Sequence, residues 1–404
     1  MNKLVYGMSV FILSGALLLS SCSTNLGPET LPSTTPSTEP TETEPEVTVT
    51  TLAPEATDPA SAPVVTEKAV ELNGRLKVKG ANIVNSQGKT FVLKGMSSYG
   101  IQDCSDFFTA EVIKTLAEDW GCNVIRIAIT GDAETGYLKD PDKYFDHLCK
   151  ICDMCINQGI YVILDWNVEY EKAANENKAK AVDFFTRISS IYSDSPNILY
   201  EIENNMIQTE ESGKIKDEWT KNIKPFAEDV IKAIRKNSPS SIVIVGAPDR
   251  GLGIDTISKT KIKGDNIAYA CRIYSSTHGV EYREKVQNAV KQGICVFVTE
   301  WGLCSDNGEE GLNMGESDSW SLLFEENNIS WCNYAIGSNF IDEANALYLL
   351  NDKYTNEQKD AHWPDGIITK SGLYVRKMLL KDYETQDETS GSETTESSES
   401  TATT

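Results

Sequence analysis

Eight short runs rich in apolar and β-branched residues recur through the middle of the chain, at 91–96, 123–129, 160–166, 198–203, 241–246, 267–274, 294–299 and 329–336. Between most of them the apolar residues return every three or four positions, at 110–120, 144–158, 179–192, 219–236, 281–292 and 317–327. The first spacing belongs to strands and the second to helices. Strand then helix, repeated at intervals of roughly 30 residues, is the pattern of an α/β (β/α)8 TIM barrel. Near-continuous apolar runs suit parallel strands covered on both faces. An open doubly wound sheet is the next candidate, and the lack of a Gly-rich nucleotide turn counts against it. A helical pattern at 372–381 closes the ring. Two short runs at 75–79 and 83–85 read as a small N-terminal β-hairpin capping the barrel bottom. The barrel domain is expected over 70–383.

The charge is uneven. Of a formal net charge of −23, seven acidic groups and no basic one fall in 23–58, and the same in 382–404, which leaves the middle near −10. A nucleic-acid binder needs a clustered basic surface, so that partner is excluded. Residues 23–66 are mostly Thr, Ser, Pro and Glu, and 384–404 are similar without proline. Such segments lack the apolar groups to offset ordering entropy, so both are expected to be disordered acidic tails.

Before the first tail, Lys3 precedes an apolar run that ends Leu19-Ser20-Ser21-Cys22. A charged start, a short apolar stretch and small residues make a secretory signal. The run is shorter than the ~18–20 residues a membrane span needs. Its ending resembles the bacterial lipoprotein signal, which implies that Cys22 carries lipid and that residues 1–22 are the signal. The expected localisation is the bacterial cell surface, held at the membrane by the lipid on Cys22. Residues 23–66 would be the tether.

Nine of the ten cysteines remain after Cys22, and they do not form a disulfide framework. Cys149, Cys152 and Cys155 have helical spacing. With no second cluster at ligand spacing they read as core thiols, so no metal and no cofactor is expected.

In a barrel of this kind chemistry sits at the C-terminal ends of the strands. Those ends carry Arg126; Asp165-Trp166-Asn167; Glu201-Ile202-Glu203-Asn204-Asn205; Arg272-Ile273-Tyr274; Thr299-Glu300-Trp301-Gly302; and Trp331-Cys332-Asn333-Tyr334. Carboxylates beside aromatic, amide and guanidinium groups make a mouth suited to a sugar.

On these residues the chain resembles glycoside hydrolase family 5, especially its bacterial endo-β-1,4-glucanases, over about 74–351. Leu93-Lys94-Gly95-Met96 resembles the family's first strand, Asn123-Val124-Ile125-Arg126 its second, and Ile163-Leu164-Asp165-Trp166 its third. Leu199-Tyr200-Glu201-Ile202 resembles the fourth, and Val298-Thr299-Glu300-Trp301-Gly302 the seventh. The family hydrolyses with retention, through two carboxyls ~5–5.5 Å apart. The resemblance places Glu300 at the nucleophile position. It places Asn204-Asn205-Met206 on the family's Asn-Glu-Pro, so Asn205 stands where the acid/base belongs.

An amide has no proton to release near neutral pH, and loss of general acid help costs ~10²–10⁴ in rate. Other departures cluster at the strand ends. Asn167, Arg272 and Tyr99 take the place of family histidines. Asp103 and Arg250 stand at tryptophan positions, and Asn339 at a lysine. Arg126 is expected to pair with Glu300. The other candidate binding residues are Asn167, Asn204, Arg272, Tyr274, Trp331 and Tyr334; packing is the competing role for Trp301 and Trp331. Glu203 points inward beneath position 205 and needs a partner, which predicts a Glu203–Arg272–Glu300 ion cluster.

Three functions follow. The leading one is a surface-anchored pseudoenzyme that binds a carbohydrate or a partner without cleaving it. The second is a retaining glycosidase, active or weakly active on a β-glucan-type polysaccharide, with Glu300 as nucleophile; Glu210 or Glu211 would be its replacement acid. The third is an envelope scaffold with an unused cleft. No protein partner is named by the sequence.

Overall fold

The computed structural model describes residues 64–102, 107–130, 136–167, 174–202, 218–308, 311–338, 348–350 and 363–392. Cys22, the 23–58 segment, Asp103, Glu203, Asn204, Asn205, Glu210, Glu211 and Asn339 lie outside the described residues.

A short helix α1 (Ala69–Asn73) and an antiparallel hairpin of β1 (Lys77–Lys79) and β2 (Asn82–Val84) lead in. Then β3 (Lys94–Gly100), β4 (Val124–Thr130), β5 (Tyr161–Asn167), β6 (Ile198–Ile202), β7 (Val243–Gly246), β8 (Ile267–Tyr274), β9 (Val296–Gly302) and β10 (Ser330–Ile336) close into one parallel barrel, in chain order, with β10 beside β3. Outside it run α2 (Ala110–Glu118), α3 (Pro141–Gln158), α4 (Ala174–Ile191), α5 (Lys224–Asn237), α6 (Val280–Lys291), α7 (Met314–Glu326) and α8 (Lys370–Ser392). The expected (β/α)8 barrel and its hairpin are present, and the open sheet is excluded by closure.

Local chemistry sets the boundaries. The Thr109 side chain accepts from the Val112 N–H to start α2, and Asp140 does the same for Lys143 N–H ahead of Pro141 in α3. Gly159 ends α3 with φ 79°, turning the chain directly into β5. Cys152 and Cys155 are buried on the core face of α3, as their spacing implied.

The strands carry two cores. Val124, Tyr161, Ile163, Leu199, Ile244, Ala270, Phe297 and Cys332 fill the barrel interior, and Leu76 and Ile83 from the hairpin region plug its lower end. Alternate residues such as Ile125, Val162, Tyr200 and Val245 join the shell under the helices. The lower end is stitched shut: Tyr161 Oη donates to the Gly74 carbonyl at 2.6 Å, and Val78 N–H to Asn266 Oδ1 at 3.0 Å.

Two departures have physical causes. The first and seventh barrel strands run on to Gly100 and Gly302, beyond the apolar runs, because their inward residues become polar near the mouth. The last helix continues to Ser392, into residues that composition assigned to the disordered tail. Extending an existing helix adds one hydrogen bond per residue, a gain that no apolar stripe announces.

Candidate active site

One interior layer above the apolar floor is polar. Register places Ser97 beside Arg126, Asp165 beside Glu201, and Arg272 beside Glu300. Strict alternation would not turn Glu300 inward together with Phe297. The β8–β9 register shifts between Cys271, paired with Val298, and Arg272, paired with Glu300. That irregularity inserts one residue into β9, so Phe297 and Glu300 both face in while Trp301 joins the outer shell. A bulge that re-aims a side chain beside a site is a recurrent device.

Arg126 is the hub. Its Nε donates to Glu201 Oε2 at 2.6 Å, Nη2 to Asp165 Oδ2 at 2.6 Å, and Nη1 to Glu300 Oε1 at 3.1 Å and Ser97 Oγ at 2.8 Å. Arg126, Asp165 and Glu201 are fully buried, and Glu300 is 1% exposed. The other oxygen of Glu300 is also engaged: Arg272 Nε lies 2.5 Å from Oε2, and Tyr274 Oη donates to it at 3.0 Å.

The layer thus holds three carboxylates and two guanidinium groups. Burial drives the Asp165 carboxyl well above its ordinary range, with Glu201 and Glu300 adding to the effect of burial and Arg126 opposing it. Burial also raises Glu201 against the pull of Arg126. With three carboxylates against two guanidinium groups, this pair is where the layer holds a proton most readily. For Glu300 burial raises the carboxyl, but Arg272, Arg126 and the Tyr274 hydroxyl outweigh it, and the group is held below the usual carboxylate range. Burial and the neighbouring Glu300 keep the Tyr274 phenol protonated, as a donor.

Above this layer sits the rim. The Tyr274 and Tyr334 rings meet edge to face at 6.4 Å, and Tyr99, 41% exposed, lies 6.1 Å from Tyr334. Asn167 is buried at the end of β5. His278 supports Tyr274 from behind: its Nδ1 accepts the Tyr274 N–H at 2.9 Å, and its carbonyl accepts Trp320 Nε1 at 2.8 Å. Burial pushes the His278 imidazole down to about 4, so it is neutral in this role.

The structure brings Arg126, Arg272, Tyr274 and Glu300 into one network with Tyr334 at its edge. Trp331 does not join it. It lies at the opposite end of its strand, packs at 5.4 Å against Trp301, and lines a cavity of about 500 Å³ with Phe91, Lys94 and Lys381. Strand alternation explains this: Cys332 and Tyr334 face in, so Trp331 faces out. Of the expected ion cluster, the Arg272–Glu300 pair is present, while Glu203 lies outside the described residues.

Sequence reading missed the roles of Asp165, Glu201 and Ser97 as partners of Arg126. The signal was available, since two-residue steps from Ile163 and Leu199 put both carboxylates inward. It also missed Glu218, just before α5, which is 2% exposed. Burial pushes its carboxyl up to about 7, with the Asp249 N–H opposing and the Asp249 carboxylate reinforcing the rise.

A profile described as Cellulase (glycosyl hydrolase family 5) matches residues 84–340. The chain is 35% identical over 306 residues to an endoglucanase of Clostridium saccharobutylicum, covering 76% of this chain and 65% of that protein. It is 34% identical over 274 residues to endoglucanase Z of Dickeya dadantii, covering 68% and 58%. The chain therefore spans less than two thirds of each of these relatives. Among solved structures, one from Cytophaga hutchinsonii superposes with a TM-score of 0.71 at 32% identity, covering 80% of this chain and all of that one. The catalytic domain of Thermobifida fusca endoglucanase Cel5A gives 0.70 at 28% identity, covering 78% and 99%. Closed barrel, strand-end carboxylates and matched profile agree, and this chain belongs to the cellulase family of glycosyl hydrolases, family 5.

Proposed function

We propose that this domain has lost general-acid catalysis and holds a carbohydrate of the β-glucan type, or a partner, at its mouth without cleaving it. The observation that carries the reading is the engagement of both Glu300 oxygens, one by Arg126 and the other by Arg272 and Tyr274. A retaining nucleophile must present a lone pair to the anomeric carbon. Here Arg272 occupies that side of the carboxylate. Asp165 and Glu201 offer no substitute acid, since both are wholly buried beneath the rim and bound to Arg126. Asn205, at the position matching the acid/base, has no proton to give.

One observation favours the second reading, a weakly active retaining glycosidase. Glu300 is held ionised and keeps its Arg126 partner, as a nucleophile requires. A 2-fluoro β-cellobioside with a dinitrophenyl leaving group separates the two readings, because it needs no acid assistance. We expect no covalent adduct by mass spectrometry and no cleavage of soluble β-glucan, together with measurable glycan binding. An adduct at Glu300, or glucan hydrolysis at rates typical of the family, overturns the proposal. Absence of binding across a glycan panel leaves the scaffold reading in its place.

The same proposal includes export and anchoring. Cys22 carries the lipid, residues 23–66 form the tether, and the barrel stands off the membrane at the cell surface. Among the described residues no helix is long and apolar enough to cross a membrane. Radiolabelled palmitate incorporated by the native chain and lost in Cys22→Ala tests this part.

A further inference from the structure

The loop after β7 carries Arg250 at the same end of the barrel as Arg272 and Glu300. Asp249 and Arg250 both adopt left-handed backbone, at φ 56° and 52°, followed by Gly251 at 90°. Residues other than glycine hold such angles at a cost, and outliers of this kind collect at ligand sites. Arg250 is exposed and has no hydrogen-bond or ion-pair partner among the described residues. The turn rests directly on β8: a Cβ added at Gly251 would come within 2.8 Å of the Arg272 backbone nitrogen. Glycine there lets the Arg250 turn seat against the strand that bears Arg272.

Arg272 gives one edge of its guanidinium to Glu300 and keeps 15% of its side-chain surface exposed. Arg250 brings a second guanidinium to the turn seated on β8, beside the Asp249 carboxylate. In a chain of net charge −23, two arginines at one strand-end mouth are a local exception. Tyr99, exposed, and Tyr334, half-buried, supply ring faces for pyranose rings, with Tyr274 buried behind them.

We infer that the mouth takes an acidic glycan, a β-linked chain bearing uronate carboxylates, with Arg250 as the side chain that reads the acid. A planar guanidinium matches a carboxylate in a way that a neutral hydroxymethyl group does not. This rests on the carbohydrate-binding reading above.

The test uses two ligands with one backbone: cellotetraose, and the same tetrasaccharide oxidised at every C6 to the glucuronate. Calorimetry on the native chain should show the oxidised form binding roughly tenfold tighter or better, as one charge-assisted contact implies. The gain should shrink in added salt. Arg250→Asn should abolish it while leaving the affinity for cellotetraose within about twofold; asparagine tolerates the left-handed backbone, so the turn is kept. Equal binding of both oligomers by the native chain overturns this inference and leaves the binding proposal standing. An undiminished preference in Arg250→Asn also overturns it. Binding of neither oligomer overturns this inference, and the wider glycan panel decides the binding proposal.

Discussion

Replacing Glu218 by glutamine should make this domain more stable at alkaline pH and leave it unchanged in acid. The carboxyl is 2% exposed, and burial lifts it from an ordinary 4.5 to about 7. A raised folded value means that the native state binds the proton more tightly than the unfolded chain. The stabilisation is therefore fully present below about 4.5 and lost as pH rises through about 7. At about 1.4 kcal/mol per pH unit, the range amounts to about 3 kcal/mol. Glutamine keeps the shape and cannot ionise. For a domain of this size, 3 kcal/mol corresponds to roughly 4–6 °C in Tm. Thermal unfolding followed by circular dichroism at pH 4, 6, 7 and 8 reads the difference between variant and native chain, which cancels the titration of other groups. The difference should be near zero at pH 4 and approach the full value at pH 8. A difference independent of pH, or one that grows towards acid, refutes the reasoning.

Arg272→Met should cost about 2–4 kcal/mol at pH 7, because Glu300 stays buried with one guanidinium instead of two. Glu300 is held below its ordinary value, so its contribution is present above about 4.5 and lost as pH falls through the folded value. Urea unfolding should show the penalty narrowing in acid, and an equal penalty at pH 7 and pH 4 would contradict the pairing. Gly159→Ala should cost about 1–2 kcal/mol, from its φ of +79° and a Cβ 2.7 Å from the Lys68 side chain; the urea midpoint reads it. Asn205→Glu alone should leave soluble β-glucan uncut while Arg272 remains on Glu300, and the double change Asn205→Glu with Arg272→His should release reducing sugar. Activity in the single variant would show that Arg272 does not block the carboxylate.

Much of the fold was legible because barrel strands are apolar on both faces and barrel helices on one. Those periods place β4, β5, β6 and β8 to within a residue or so of the observed ends. Strand ends were harder to read, since the inward residues turn polar where chemistry is possible. The extension of α8 to Ser392 left no trace because helix propagation needs no apolar partner. For the site, Arg272 with Glu300 followed from strand position and charge, and Arg126 with Glu300 from the resemblance to the family. Trp331 misled, because an aromatic near a strand end looks the same in sequence whether it faces the mouth or the helices.

The chain's periodicity by itself determined eight parallel strands alternating with helices, and its strand-end residues determined that carboxylates and guanidinium groups would gather at one end; closure of the ring was decided by the tertiary structure. The sequence could not say how those charges are shared. Each inward side chain meets neighbours from strands far apart in the chain, so partners depend on register, and register depends on the whole ring closing. The irregularity in β9 is the clearest case: only there does one inserted residue turn Glu300 inward and put both its oxygens against arginine.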